Sequence, residues 1–194
     1  MTDLHTELAD ARNVLLAAPS MSGDEAEACT DLLVSSSSAG ANVLWVTFRG
    51  DATDCIDQWF ATTDDQPGNA AVVVVGDSPG PNPDGVTVEH ISSPSDLTGL
   101  GIAIGELLSE WDGSPVVCID SLTAMLQYVE VETAYEFLHA VTGQFYAADA
   151  RAHFHIDPSA HESATVDSIA SLFDAVVEFD SDDEPSIRKR HLLQ

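Results

Sequence analysis

The stretch Ala70–Gly76, AAVVVVG, is apolar through six consecutive residues and then stops at a glycine. A strand with one wet face alternates apolar and polar positions. An unbroken apolar run suits a strand buried on both faces, as in a parallel sheet covered by helices on either side. The same pattern recurs outward from this stretch. Asn13–Ala18 (NVLLAA), Asn42–Phe48 (NVLWVTF), Pro115–Asp120 (PVVCID) and Ala152–Asp157 (AHFHID) read as strands, and Val86–Ile91 as a short one. Helical spacing fills the intervals Asp24–Ser38, Asp54–Ala61, Ser95–Trp111, Glu132–Ala150 and Ser163–Leu172. In the fourth of these, Tyr135, Leu138, Val141, Thr142 and Phe145 form one apolar stripe. Asp77–Gly85 (DSPGPNPDG) is a loop by its prolines and glycines. Asp174–Phe179 and Ser186–Leu192, joined by the acidic turn Asp180–Pro185, predict a closing hairpin. The expected fold is α/β: a three-layer α/β/α sandwich with a mostly parallel sheet and a C-terminal antiparallel hairpin, forming one domain over residues 1–194.

The chain has 194 residues, of which 33 are acidic and 6 basic, for a formal net charge of −27. Lys189 is the single lysine. Phosphate neutralisation needs basic side chains, so general nucleic-acid binding is excluded. Dispersed carboxylates with so little lysine suit very high salt, where the Debye length falls to about 3 Å at 1 M and like charges repel weakly. The expected setting is the cytoplasm of a halophilic archaeon. No apolar run approaches the roughly 18–20 residues that span a bilayer, and Met1–Glu7 has neither the basic nor the apolar region of a signal peptide. Cys29, Cys55 and Cys118 are odd in number and widely spaced, which implies neither a disulfide framework nor a zinc ribbon.

The first strand–turn–helix is where a nucleotide-binding α/β domain places its phosphate loop, G-x-x-x-x-G-K-[ST]. The corresponding residues are Ala18, Pro19, Ser20, Met21, Ser22, Gly23, Asp24 and Glu25. Only the second glycine remains, and carboxylates occupy the lysine and hydroxyl positions. They would repel a triphosphate while complementing the helix N-terminus.

Pro115–Leu126 (PVVCIDSLTAML) resembles the Walker-B strand of the RecA/KaiC-type ATPases, in which an apolar strand ends in Asp-Ser-Leu. The resemblance implies a RecA-like (P-loop NTPase-like) core over nearly the whole chain. It aligns Asp120 with the residue that handles Mg²⁺ and water, and Ser121 with its neighbour. The family carries catalytic glutamates after its second strand, where this chain has Phe48-Arg49-Gly50. With loop and base both replaced, the expectation is a pseudo-ATPase without cofactor, and Asp120 then reads as a cap or turn residue at a strand end. The resemblance also implies a role for Arg188 and Arg190. A K-x-R pair on this terminal strand reaches the neighbouring subunit's nucleotide, so the two arginines are interface candidates, against pairing with the acidic turn. The expected function is regulatory or scaffolding, through self-association into a homo-oligomer or binding to an active KaiC-like paralogue.

Two other readings remain open. One is a nucleotide binder without hydrolysis. The other is a metal-dependent hydrolase built on His153, His155, Asp157 and His161, since positions i, i+2 and i+4 of a strand share a face and N/O ligands suit divalent metals. A structural or solvent-facing role for these histidines is the simpler expectation. Trp45, Trp59, Trp111 and Phe145 read as core.

Overall fold

A computed structural model of the chain describes residues 4–19, 23–35, 40–179 and 185–190. The elements run α1 (Leu4–Glu7), β1 (Asn13–Ala17), α2 (Gly23–Ser35), β2 (Val43–Thr47), α3 (Ala52–Thr62), β3 (Ala70–Val75), β4 (Val86–Ile91), α4 (Leu97–Glu110), β5 (Val116–Asp120), α5 (Leu122–Met125), α6 (Val131–Ala147), β6 (Arg151–Ile156), α7 (Ser163–Ala170), β7 (Ala175–Glu178) and β8 (Ser186–Lys189). The strands form one sheet in the order β4-β3-β2-β5-β6-β1-β7-β8. Every pairing is parallel except β7 with β8. The molecule is a three-layer α/β/α sandwich closed by an antiparallel pair, as the continuous apolar runs require.

Burial on both faces explains those runs residue by residue. Leu15, Ala17, Leu44, Val46, Val117, Ile119, Phe154 and Ile156 pack under α4, α6 and α7. Their neighbours Val14, Leu16, Val43, Trp45, Val116 and Cys118 pack under α1, α2 and α3. Side chains alternate between these cores because successive Cβ atoms leave opposite faces of the sheet. The edge strands β4 and β8 have only half-buried and exposed positions, which fits the single neighbour of each. Trp45 and Trp59 meet edge to face at 6.0 Å inside the second core; Trp111 packs half-buried against the first.

The helix ends follow local hydrogen bonding. Asp51 and Asp54 form a capping box, so α3 starts two residues before the sequence expectation. Asp96 accepts from the Gly99 amide and starts α4 at Leu97. α6 stops at Ala147, short of the expected Ala150, because Asp149 takes φ 54°, a left-handed helix-ending conformation. Ala134 replaces Tyr135 in its buried stripe. The expected acidic turn, through residue 184, and His191 lie outside the described residues. Among the described residues no helix is long and apolar enough to cross a membrane.

Phe154 is fully buried between Phe173, at 4.8 Å, and Phe145, at 6.0 Å. Phe154→Ala should lower unfolding free energy by about 3–5 kcal/mol, measured by denaturant titration in molar KCl; a loss under 1 kcal/mol would contradict this packing.

Candidate functional site

β1, β2, β5 and β6 all point their C-terminal ends at one edge of the sheet, where parallel α/β proteins receive ligands. Two adjoining cavities of about 270 and 140 Å³ lie there, and Glu25, Arg49 and His155 line both. The larger also reaches Cys29, Cys55, Cys118 and Asp120.

Arg49 leaves the end of β2 and hydrogen-bonds Asp120, at the end of the adjacent strand β5. Thr47 steadies the turn, its Oγ1 accepting from the Arg49 and Gly50 amides. Burial opposes the guanidinium charge, but Asp120 outweighs it and holds Arg49 above its ordinary pKa. Asp120 is therefore an ion-pair partner, not a cap. The cap is Ser121, whose hydroxyl accepts from the Ala124 amide and starts α5, a short helix that no periodicity in the sequence announces. The Asp120–Ser121 peptide is cis.

At the phosphate-loop position, Ala18 is buried and donates its amide to the Ile156 carbonyl, while Pro19 is exposed. Ser20, Met21 and Ser22, and the side chain of Asp24, lie outside the described residues. Glu25 is buried. Its Oε1 accepts a hydrogen bond from His155 Nδ1 at 2.6 Å, so this carboxylate does more than complement the helix end.

The expected histidine group is regrouped. His153 and His155 share the α2 face of β6, both buried, their rings 5.3 Å apart. Asp157 does not join them. The strand ends at Ile156, and beyond it face parity is lost. Asp157 instead caps the 3₁₀ turn Pro158–Ala160, accepting from the Ser159 amide. His161 meets Thr123 Oγ1 at 3.1 Å, away from the pair. The neighbours of His153 and His155 are two cysteines. Cys29 Sγ lies 3.2 Å from His153 Nε2, Cys118 Sγ lies 3.5 Å from His155 Nε2, and the sulfurs are 3.7 Å apart. One ligand atom from each of the four lies within 4.8 Å of the others. A hydrogen bond from Cys118 holds the Cys29 thiol well below its ordinary pKa, against burial and with help from the imidazoles. Donating that bond, together with burial, holds Cys118 well above its own. Burial opposes charge on His155, but Cys29 and Glu25 carry it up to about 10.

Residue spacing missed Cys29, Cys118 and the Arg49–Asp120 pair, whose partners come together only through the strand order. The one local signal was the His-x-His on a strand buried on both faces. At the far edge, Arg188 pairs across the hairpin with Glu178 at 2.5 Å, and Arg190 donates to the Ser171 carbonyl at 2.9 Å; both side chains are exposed.

Arg49 and Asp120 are 46% and 30% exposed, so their coupling belongs near the surface range of about 0.2–1 kcal/mol. A double-mutant cycle of Arg49→Ala and Asp120→Asn should give that coupling at moderate salt and show it shrinking toward molar KCl. Zero coupling at both salts would remove the pair from the site.

Three comparisons place the chain among known proteins. No curated protein matches it. A solved structure, the subject of a structural study of Project ID PH0250 from Pyrococcus horikoshii OT3, is similar with a TM-score of 0.66 at 15% identity, over 99% of this chain and 94% of that one. That likeness concerns the fold alone. A family model matches residues 11–179, the span that carries every strand from β1 to β7 and the whole site, and the chain belongs to that family, a family of unknown function (DUF7504).

Proposed function

We propose that this chain is a degenerate member of the KaiC/RecA-type ATPase superfamily that does not hydrolyse nucleotide and works by protein association. The observation that carries the reading is the state of the three positions that would act on a triphosphate. Glu25, at the hydroxyl position, points inward to His155. Asp120, at the Mg²⁺ position, is neutralised by Arg49, which stands where the general base would be. A carboxylate already paired with a guanidinium is a poor Mg²⁺ ligand, and no lysine is available to meet a phosphate. This also argues against a nucleotide binder without hydrolysis.

RecA-like subunits meet by setting one subunit's nucleotide face against the next, and a copy without chemistry still presents that face. The partner in this reading is a second copy of the chain or a KaiC-like paralogue. Arg188 on the edge strand β8 and Arg190 just past its end stand exposed, and their hydrogen bonds within the chain leave both accessible. Support for association also comes from an uncovered groove of about 620 Å³ between α4 and α6, where Ile102 is 57% exposed beside Phe137 and Ala140. Exposed apolar surface of this kind marks interaction sites. The acidic, lysine-poor composition supports a halophilic, cytoplasmic setting for this assembly.

Magnesium ATP should leave the thermal midpoint unchanged in molar KCl, whereas ligand at a hundred times its Kd would add about 2.7 kcal/mol. Sedimentation velocity should show association that rises with concentration or on adding a KaiC-like paralogue. Arg188→Ala combined with Arg190→Ala should weaken it. Steady phosphate release from ATP, or a monomer in every mixture, overturns the reading.

A further inference from the structure

We infer that Cys29, Cys118, His153 and His155 bind one zinc ion in a closed tetrahedral site that fastens α2 to the centre of the sheet. The inference stands apart from the fate of the nucleotide site, since none of the four residues is asked to touch a phosphate.

The geometry is that of a coordination shell. Zinc bonds to thiolate at about 2.3 Å and to imidazole at about 2.0–2.1 Å. A tetrahedron with those arms has edges of about 3.8 Å between two sulfurs and about 3.5 Å between sulfur and nitrogen. The distances found are 3.7 Å between the sulfurs, and 3.2 and 3.5 Å from sulfur to nitrogen. A disulfide would bring the sulfurs to about 2.05 Å and would leave the imidazoles with no reason to face them. Two sulfur and two nitrogen donors in a tetrahedron select zinc among the common divalent metals.

Electrostatics agree. All four residues are buried, and two thiolates with two neutral imidazoles exactly cancel a divalent charge, leaving a neutral unit in the interior. His155 presents Nε2 to the sulfurs while Nδ1 donates to Glu25. That carboxylate–histidine relay fixes the tautomer and makes the coordinating nitrogen more basic, the usual support of a metal-bound imidazole. β5 and β6 are paired with Cys118 opposite His153, and α2 supplies Cys29 from above, so three elements contribute ligands. Cys29, Cys118 and His155 line the 270 Å³ cavity, which gives the ion an entry path. Four protein ligands leave no open position, so the ion is structural. Its binding is acid–base and not redox: remaining thiol protons and any Nε2 imidazolium proton leave to solvent, and the proton on His155 Nδ1 stays there, donated to Glu25.

The test uses the full chain purified under reducing conditions without chelator. Elemental analysis should give close to one zinc per chain. Replacement by cobalt(II) should give tetrahedral d–d absorption with a thiolate-to-cobalt charge-transfer band. Cys118→Ser should abolish the charge-transfer intensity or reduce it at least twofold, while Cys55→Ser leaves both metal content and spectrum intact. Should Cys118→Ser fail to fold, the wild-type cobalt spectrum and the Cys55→Ser control still decide. Three results overturn the site: no metal above background in purified and reconstituted protein alike, a cobalt spectrum without thiolate character, or a Cys29–Cys118 disulfide in non-reducing peptide mass spectrometry.

Discussion

A sheet covered on both faces leaves no solvent for a polar side chain in its central strands, and His155 is the residue on which that constraint falls hardest. It is about 5% exposed on β6, with β1 and β7 between it and the edge strand β8 on one side and β5, β2 and β3 between it and the edge strand β4 on the other. An unpaired imidazole there would cost roughly 1–3 kcal/mol in lost solvation. The chain meets the cost on both ring nitrogens, with Glu25 on one side and Cys118 on the other. Glu25 in turn is the third residue of α2, so the pairing sets the position of that helix over the strands. His153 and Cys29 repeat the arrangement one step deeper.

The same economy applies at the strand ends. Asp120 and Arg49 are each flanked by groups that would be unfavourable alone in a half-buried cleft, and each answers the other. Each therefore has its strong partner within the chain. Satisfaction within the chain and readiness for an external ligand are alternatives, because a carboxylate donates its lone pairs to one strong partner at the expense of the next.

How much of this was legible in the sequence follows from range. The strands were legible because burial on both faces writes itself as contiguous apolar runs such as Val72–Val75, and the helices because their stripes recur at fixed spacing. α5 was not, since a four-residue helix set by the Ser121 cap has no period to detect. Of the site, the His153–His155 pair was visible through strand parity. Parity also misassigned Asp157, because the rule holds only while the strand continues and β6 stops one residue earlier. Cys29 and Cys118, 89 residues apart, are joined by a crossover that places β5 beside β6 and α2 above both. Three cysteines counted along a chain carry no trace of that. Cys55, whose thiol burial pushes up to about 12, lines the same cavity and stays outside the cluster, so cysteine count alone could not have told ligands from bystander.

Glu25 joins the cleft at the strand ends to the cluster beneath it. Its carboxylate lines both cavities and supports His155 by hydrogen bond. A serine or threonine in its place would shorten the side chain and leave Nδ1 of a buried histidine without its acceptor. Shortening this side chain would therefore loosen the hold of α2 on the strands beneath it.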